Sequence, residues 1–233
     1  MYAGLMLNRD SIRDGVLYKM LLENQHAHKA APKTAEERAA SLNATLAAAP
    51  AGALDGDIWV FGYGSLVWNP AFHYAERCRG RIYGFHRAYC IWTPLGRGTP
   101  ENPGLMLALD RGGSCCGAAF RLAPNKVEEE LTILWSREMA LDSYVPTWVA
   151  IHTDTGPVNG VTFTINRHHE RYTGPMPPDI VAGHLATAEG YLGTSADYLE
   201  NTVAHLAELG IDDAPLTDLH RRVTALREAK PVE

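Results

Sequence analysis

Between Ile58 and Asn166 the chain passes through a series of short apolar runs with a single helical stretch among them. Ile58 to Tyr63 is one such run, ended by glycine. Arg79 to Trp92 is a second, interrupted at Gly84. Leu105 to Leu109 and Cys116 to Leu122 flank the turn signal Asp110-Arg111-Gly112-Gly113, which predicts a hairpin. Trp148 to His152 and Val161 to Asn166 flank a further turn region, Thr153 to Gly160. A doubly wound parallel sheet needs a helix after nearly every strand, and that alternation is missing. The pattern therefore predicts an α+β fold: a curled, mostly antiparallel sheet or small β-barrel with flanking helices.

A chain of 233 residues with 46% hydrophobic content can build one sizeable core. Residues 1–55 read as a helical arm packed on the main domain, which occupies 56–233. Within the arm, Thr34-Ala35-Glu36-Glu37 is a capping box opening a helix to about Ala48, with Leu42 and Leu46 on one face. Pro124 introduces a helix over about Asn125 to Leu141. Pro177-Pro178 can start another, to about Leu192. Thr194 or Ser195 can cap the next, which stops at Gly210, and Pro215 starts the last, to about Ala229.

Charge and composition narrow the partners. The net charge is -6, from 21 basic and 27 acidic residues, with no Lys/Arg cluster, so nucleic acid and anionic membranes are poor candidates. No apolar run approaches the length of a membrane span, and no secretory signal is evident, so a cytoplasmic protein is expected. Cys78, Cys90, Cys115 and Cys116 form no C-x-x-C pair and read as reduced, structural thiols. His168-His169 and His26-Ala27-His28 lack metal-ligand spacing, so no metal is expected.

Two features carry chemistry. Phe61-Gly62-Tyr63-Gly64-Ser65-Leu66 places two glycines around a tyrosine at a strand end. Such a bend can be a tight turn or can aim successive N–H groups at an anion. It matches neither the P-loop nor the dinucleotide fingerprint, and no clear helix is expected before Pro70. The second feature is Glu138. The stripe Val127, Leu131, Leu134 has spacing four and three, so its next position is Glu138. Glu128, Glu129 and Glu130 are expected to face solvent. A carboxylate on an apolar stripe is either paired, with Arg137 or Arg87 as candidates, or a desolvated acid able to exchange protons near neutral pH.

Val60 to Trp68, followed by Asn69-Pro70, resembles the opening motif of the ChaC family of glutathione-specific gamma-glutamylcyclotransferases. Arg79 to Arg87, Asn102-Pro103-Gly104-Leu105, Trp135-Ser136-Arg137-Glu138-Met139, Tyr172 to Pro175, Gly190 to Gly193 and Tyr198-Leu199 resemble its later landmarks. Some members have asparagine shortly before the Tyr-Leu pair, where this chain has Ser195-Ala196-Asp197. The likeness spans about Ala35 to Ala225 and points to a bacterial-type member.

The resemblance implies that glutathione is cyclised to 5-oxoproline and cysteinylglycine without a cofactor. Glu138 would be the catalytic acid–base. Tyr63, Gly64, Ser65 and Leu66 would hold the gamma-glutamyl end. Tyr144 and Tyr172 would be candidate hydrogen-bonding residues, and Arg87 would pair with a substrate carboxylate or with Glu138. The alternatives are a cyclotransferase for other gamma-glutamyl amines or amino acids, and a non-catalytic module regulating transport. Monomer and dimer both remain open.

Overall fold

The computed structural model describes residues 7–28 and 30–229; the remainder of the predicted arm and the last residues of the chain lie outside this range. The arm is helical: α1 (Arg9–Arg13), α2 (Val16–Glu23), α3 (Gln25–His28) and α4 (Ala35–Ala47). The capping box at α4 is formed. The Thr34 hydroxyl accepts from the Glu37 N–H at 3.2 Å, and the Glu37 carboxylate accepts from the Thr34 N–H at 2.7 Å. Leu42 is buried and Leu46 packs beside it, as the spacing predicts.

The chain then forms β1 (Trp59–Gly62), a single helical turn α5 (Ser65–Trp68), and two long strands, β2 (Glu76–Thr93) and β3 (Gly104–Arg121). A 3-10 turn at Pro124–Lys126 leads into α6 (Val127–Glu138). The hairpin β4 (Tyr144–Thr153) and β5 (Gly156–Ile165) follows. The last part comprises α7 (Pro178–Thr187), the short strands β6 (Glu189–Gly190) and β7 (Gly193–Thr194), α8 (Ser195–Glu208) and α9 (Ala214–Glu228). Strands pair in the order β1-β3-β2-β4-β5, and β5 returns to β1, closing a barrel. The pairing is antiparallel except where β5 meets β1 and β3. The expected α+β small barrel with flanking helices is the fold observed.

Closure explains one departure from the sequence pattern. Asp110 to Gly113 is not a hairpin turn; it lies inside β3, and the hairpin reversal comes earlier, between Thr93 and Gly104. Tyr83 pairs with Ser114 and Phe85 with Arg111, so Gly112 and Gly113 together face Gly84. All three have positive φ, at 98°, 70° and 84°. This is a glycine bulge, which bends a strand without ending it and helps a sheet curl into a barrel. The local turn chemistry is present, but β2 offers partners on both sides of it. The β4–β5 reversal, by contrast, falls inside the predicted turn, where Thr153 pairs with Gly156.

The main core fills the barrel with Phe61, Phe120, Ile82, Leu109 and Phe163, and α6 lays Leu131, Leu134 and Trp135 against it. The Trp135 and Phe163 rings meet edge-to-face at 5.3 Å. Two expectations about helix ends change. α6 stops at Glu138, short of Leu141. α7 stops at Thr187, and Leu192 sits between β6 and β7. A third correction concerns Glu130, which is fully buried rather than solvent-facing. It lies three residues after Val127 and four before Leu134, hence on the same face as the stripe. Its carboxylate takes an ion pair from Arg9 of α1 and accepts from the His73 N–H at 2.9 Å. No helix among the described residues is long and apolar enough to cross a membrane.

Candidate active site

β1 carries four buried residues to the rim of the barrel, where Tyr63 and Gly64 turn the chain into α5. No helix is expected before Pro70 from sequence, yet Ser65–Trp68 makes one turn, with the Asn69 N–H donating to the Ser65 carbonyl at 2.8 Å. Tyr63 anchors the loop by donating its hydroxyl to the Phe163 carbonyl at 2.7 Å. Gly64 has φ of -131°, which any residue can adopt, so its requirement is spatial. A Cβ there would lie 2.6 Å from the Tyr198 hydroxyl and 3.5 Å from the Leu107 Cβ. The close approach of Gly64 to that hydroxyl makes Tyr198 the point where α8 and the loop meet.

Glu138 is the last residue of α6, and its side chain keeps 14% of its surface exposed. Arg137 makes an ion pair with it at 3.1 Å. The same guanidinium donates to the Ser65 hydroxyl at 2.9 Å and to the Asn69 carbonyl. One arginine therefore ties the carboxylate to both ends of α5. Burial raises the Glu138 pKa, with Arg137 opposing the shift. Three tyrosines surround this carboxylate. Burial, followed by the Glu138 charge, pushes the Tyr198 phenol up to about 12. Burial likewise holds Tyr63 and Tyr144 well above the ordinary tyrosine value. All three stay neutral beside the acid. Tyr144 gives its proton to the Leu107 carbonyl at 3.2 Å. The Tyr198 hydroxyl has no acceptor among the described residues.

Ser65, Arg137, Glu138, Tyr144 and Tyr198 all line a cavity of about 530 Å³. That volume lies within the roughly 300–1,000 Å³ common for small-ligand sites. A small recess continues from it, lined by Tyr63, Gly64 and Leu66 together with Glu138, Tyr144 and Tyr198. Six of the eight residues singled out from sequence thus converge here: Glu138, Tyr63, Gly64, Ser65, Leu66 and Tyr144. Arg97 and Arg171 also line the cavity. Arg97 lies 5.9 Å over the rings of both Trp68 and Tyr198 and donates to the Thr194 carbonyl. Arg171 donates to the Ser143 hydroxyl, and its Nε is buried without a partner. Among the described residues neither arginine has an ion-pair partner. Two guanidiniums lining a cavity, neither in ion-pair contact with a carboxylate among the described residues, suit an anionic ligand.

The structure places the other two elsewhere. The Arg87 side chain is 3% exposed and makes no ion pair with Glu138. It donates to the Tyr63 carbonyl at 2.6 Å, to the Cys116 carbonyl and to Asp213 at the start of α9. It braces the loop from behind. Tyr172 donates to Asp110 at 2.8 Å, beside Arg167, and does not line the cavity. The stretch Ser195-Ala196-Asp197 serves its own helix end. Asp197 completes a capping box with Thr194, and the Ser195 hydroxyl donates to the Arg97 carbonyl at 2.8 Å. The cysteines are free thiols, and burial pushes Cys90 up to about 12 and Cys115 to about 11, far from nucleophilic form at neutral pH.

Sequence reasoning does not pick out Arg97, Arg171 or Tyr198 as site residues. Tyr198 belongs to the Tyr-Leu pair, and Arg137 beside Glu138 suggests only an ion-pair partner. Arg97 lies in the β2–β3 connection, where no periodicity marks a residue as facing a cavity.

The closed five-stranded barrel flanked by helices is a gamma-glutamylcyclotransferase-like fold. Residues 58–226 match the model of the ChaC-like protein family, and the chain belongs to that family. It is 46% identical over 187 residues to the glutathione-specific gamma-glutamylcyclotransferase of Escherichia coli, covering 80% of each chain. It is 34% identical to gamma-glutamylcyclotransferase 2-1 of Arabidopsis thaliana, covering 75% of this chain and 89% of the relative. The crystal structure of the yeast gamma-glutamyl cyclotransferase specific to glutathione superposes with a TM-score of 0.68 at 24% identity, over 75% of this chain and 98% of that one.

Proposed function

We propose that this protein is a glutathione-specific gamma-glutamylcyclotransferase. The observation that carries the proposal is Glu138: a carboxylate whose pKa is raised by burial, facing the same cavity as the glycine loop. The named activity of the 46% identical relative supports it.

The donor's alpha-amine attacks its own gamma-carbonyl carbon. Ionised Glu138 takes the proton the amine must lose, and a tetrahedral oxyanion forms. The carbon–nitrogen bond to cysteine then breaks, and Glu138 returns the proton to the leaving amine. The products are 5-oxoproline and cysteinylglycine; no water is consumed. One carboxyl group serves both transfers, which is why a pKa nearer neutrality helps. Tyr198 has a free O–H beside the loop and is suited to donate to the oxyanion. Ring closure is intramolecular, so the cavity need only hold the amine in attacking geometry. Glutathione carries two carboxylates, and the unpaired Arg97 and Arg171 are suited to hold them. That pairing favours glutathione over gamma-glutamyl amines, which carry one.

In this scheme Arg87 and Tyr172 act at a distance: Arg87 positions the loop through the Tyr63 carbonyl, and Tyr172 braces Asp110. Gly64→Ala is expected to fold but to lose at least tenfold in kcat/KM, because the new methyl group must displace the Tyr198 hydroxyl. Steady-state kinetics beside a thermal melt would check this; full activity would mean that the loop and Tyr198 separate freely. Product analysis after incubation with glutathione, with gamma-glutamyl amines and amino acids as competing donors, tests the function itself.

A further inference from the structure

The cavity is not built by the barrel alone. Leu7, Asn8, Leu17, Met20 and Leu21 of the arm line it, together with Arg137 and Glu138. The arm residues lie outside the 58–226 segment that matches the family model. Leu17, Met20 and Leu21 form an apolar cluster with Ala140 and Leu141, just past Glu138, and this cluster is separate from the main core. The arm is fastened around the cavity at several points. Arg9 pairs with buried Glu130, the Asn69 side-chain amide donates to the Leu7 carbonyl at 2.9 Å, and the Lys33 N–H donates to the Ala140 carbonyl at 2.9 Å.

The narrow recess at Tyr63, Gly64 and Leu66 shares Ser65, Met106, Glu138, Tyr144 and Tyr198 with the larger space. The recess has room for little more than a water, so the donor lies in the larger space with its reacting carbonyl beside Glu138 and Tyr198, where the two meet. The apolar protrusion on the donor is the cysteinyl side chain, and the apolar wall it meets is built by Leu17, Met20 and Leu21 of the arm together with Leu95, Met106 and Leu192 of the main domain, the arm's share packing on Ala140 and Leu141 just past Glu138. Building on the function proposed above, we infer that the arm is a wall of the substrate site: Leu17 and Met20 seat the cysteinyl side chain of the donor and set how large a group is accepted there.

Volume at position 20 should therefore control discrimination at the sulfur. The test measures binding of glutathione and of S-propylglutathione by calorimetry in the Glu138→Gln background, where the ligand is not consumed. Adding Met20→Ala is expected to shift the ratio of the two dissociation constants toward S-propylglutathione at least fivefold, and Met20→Trp to shift it the other way. Leu17→Ala is the second variant if either of these fails to fold, with the same direction as Met20→Ala. An unchanged ratio in folded variants that still bind both ligands would overturn the inference and leave the arm a scaffold. Binding of neither ligand to the Glu138→Gln protein would instead overturn the glutathione function, and the inference with it. A purely structural role would weaken both ligands equally and leave the ratio untouched.

Discussion

Glu138→Gln is expected to lower kcat/KM for glutathione by about 10²–10⁴-fold, the usual contribution of a positioned acid–base group. Glutamine keeps the shape of the side chain but neither takes nor returns a proton. Arg137 retains the Ser65 hydroxyl and the Asn69 carbonyl, so α5 stays in place. The pH dependence follows from the direction of the shift. The proton-accepting form is the carboxylate, so kcat/KM of the wild type should climb with pH along a limb centred above the ordinary value of 4.5. The same group makes a stability prediction of definite sign. Its folded pKa is raised above the unfolded one, so folding favours the neutral form. The contribution is fully present below pH 4.5 and is lost as pH rises through the raised folded value. Glutamine never ionises. Glu138→Gln should therefore melt higher than wild type at neutral pH, with the gap closing in acid. Activity and melting temperature moving in opposite directions would mark a group kept for chemistry; a variant both active and no more stable would remove Glu138 from this role.

Arg87→Met is expected to have the largest effect on stability, about 3–5 kcal/mol, the scale for breaking a buried charge pair on one side. The guanidinium is almost fully buried and serves three acceptors: Asp213 and the carbonyls of Tyr63 and Cys116. Methionine fills much of its volume and satisfies none of them. Asp213 also accepts from the Leu216 N–H at 3.1 Å, so losing its counter-charge would disturb the cap of α9 as well. Urea unfolding at constant slope measures the change, and Arg87→Met/Asp213→Asn should recover part of it by removing the stranded carboxylate. A loss below about 1 kcal/mol would mean that water readily replaces the arginine, as at an exposed pair.

Much of this molecule can be read from local pattern. Thr34 with Glu37 and Pro215 mark helix starts because caps are chemical requirements of a few adjacent residues. Glu138 stands out because helical periodicity alone puts it among Leu131, Leu134 and Trp135. Periodicity misleads where a third element decides the outcome. Glu130 shares that face, but a covering arginine from α1, more than a hundred residues away in sequence, makes its burial tolerable. Gly112 and Gly113 look like a turn until β2 runs past them on both sides. Arg87 looks like a substrate ligand in the sequence because its partners, Asp213 and two carbonyls, are far from it in the chain. The place of Leu17 and Met20 at the cavity is hidden for the same cause: an amphipathic helix shows its apolar side, not what that side faces.

The central claim is that this cavity cyclises the gamma-glutamyl group of glutathione, and the most direct measurement is product analysis. Purified protein is incubated with glutathione across about pH 6–9, bracketing the range in which a raised carboxyl and a substrate amine exchange a proton. The 5-oxoproline and cysteinylglycine formed are quantified by mass spectrometry. The account predicts that both accumulate in equal amounts, that glutamate does not, and that Glu138→Gln all but abolishes both. No 5-oxoproline at any pH, or glutamate released in its place, would contradict it.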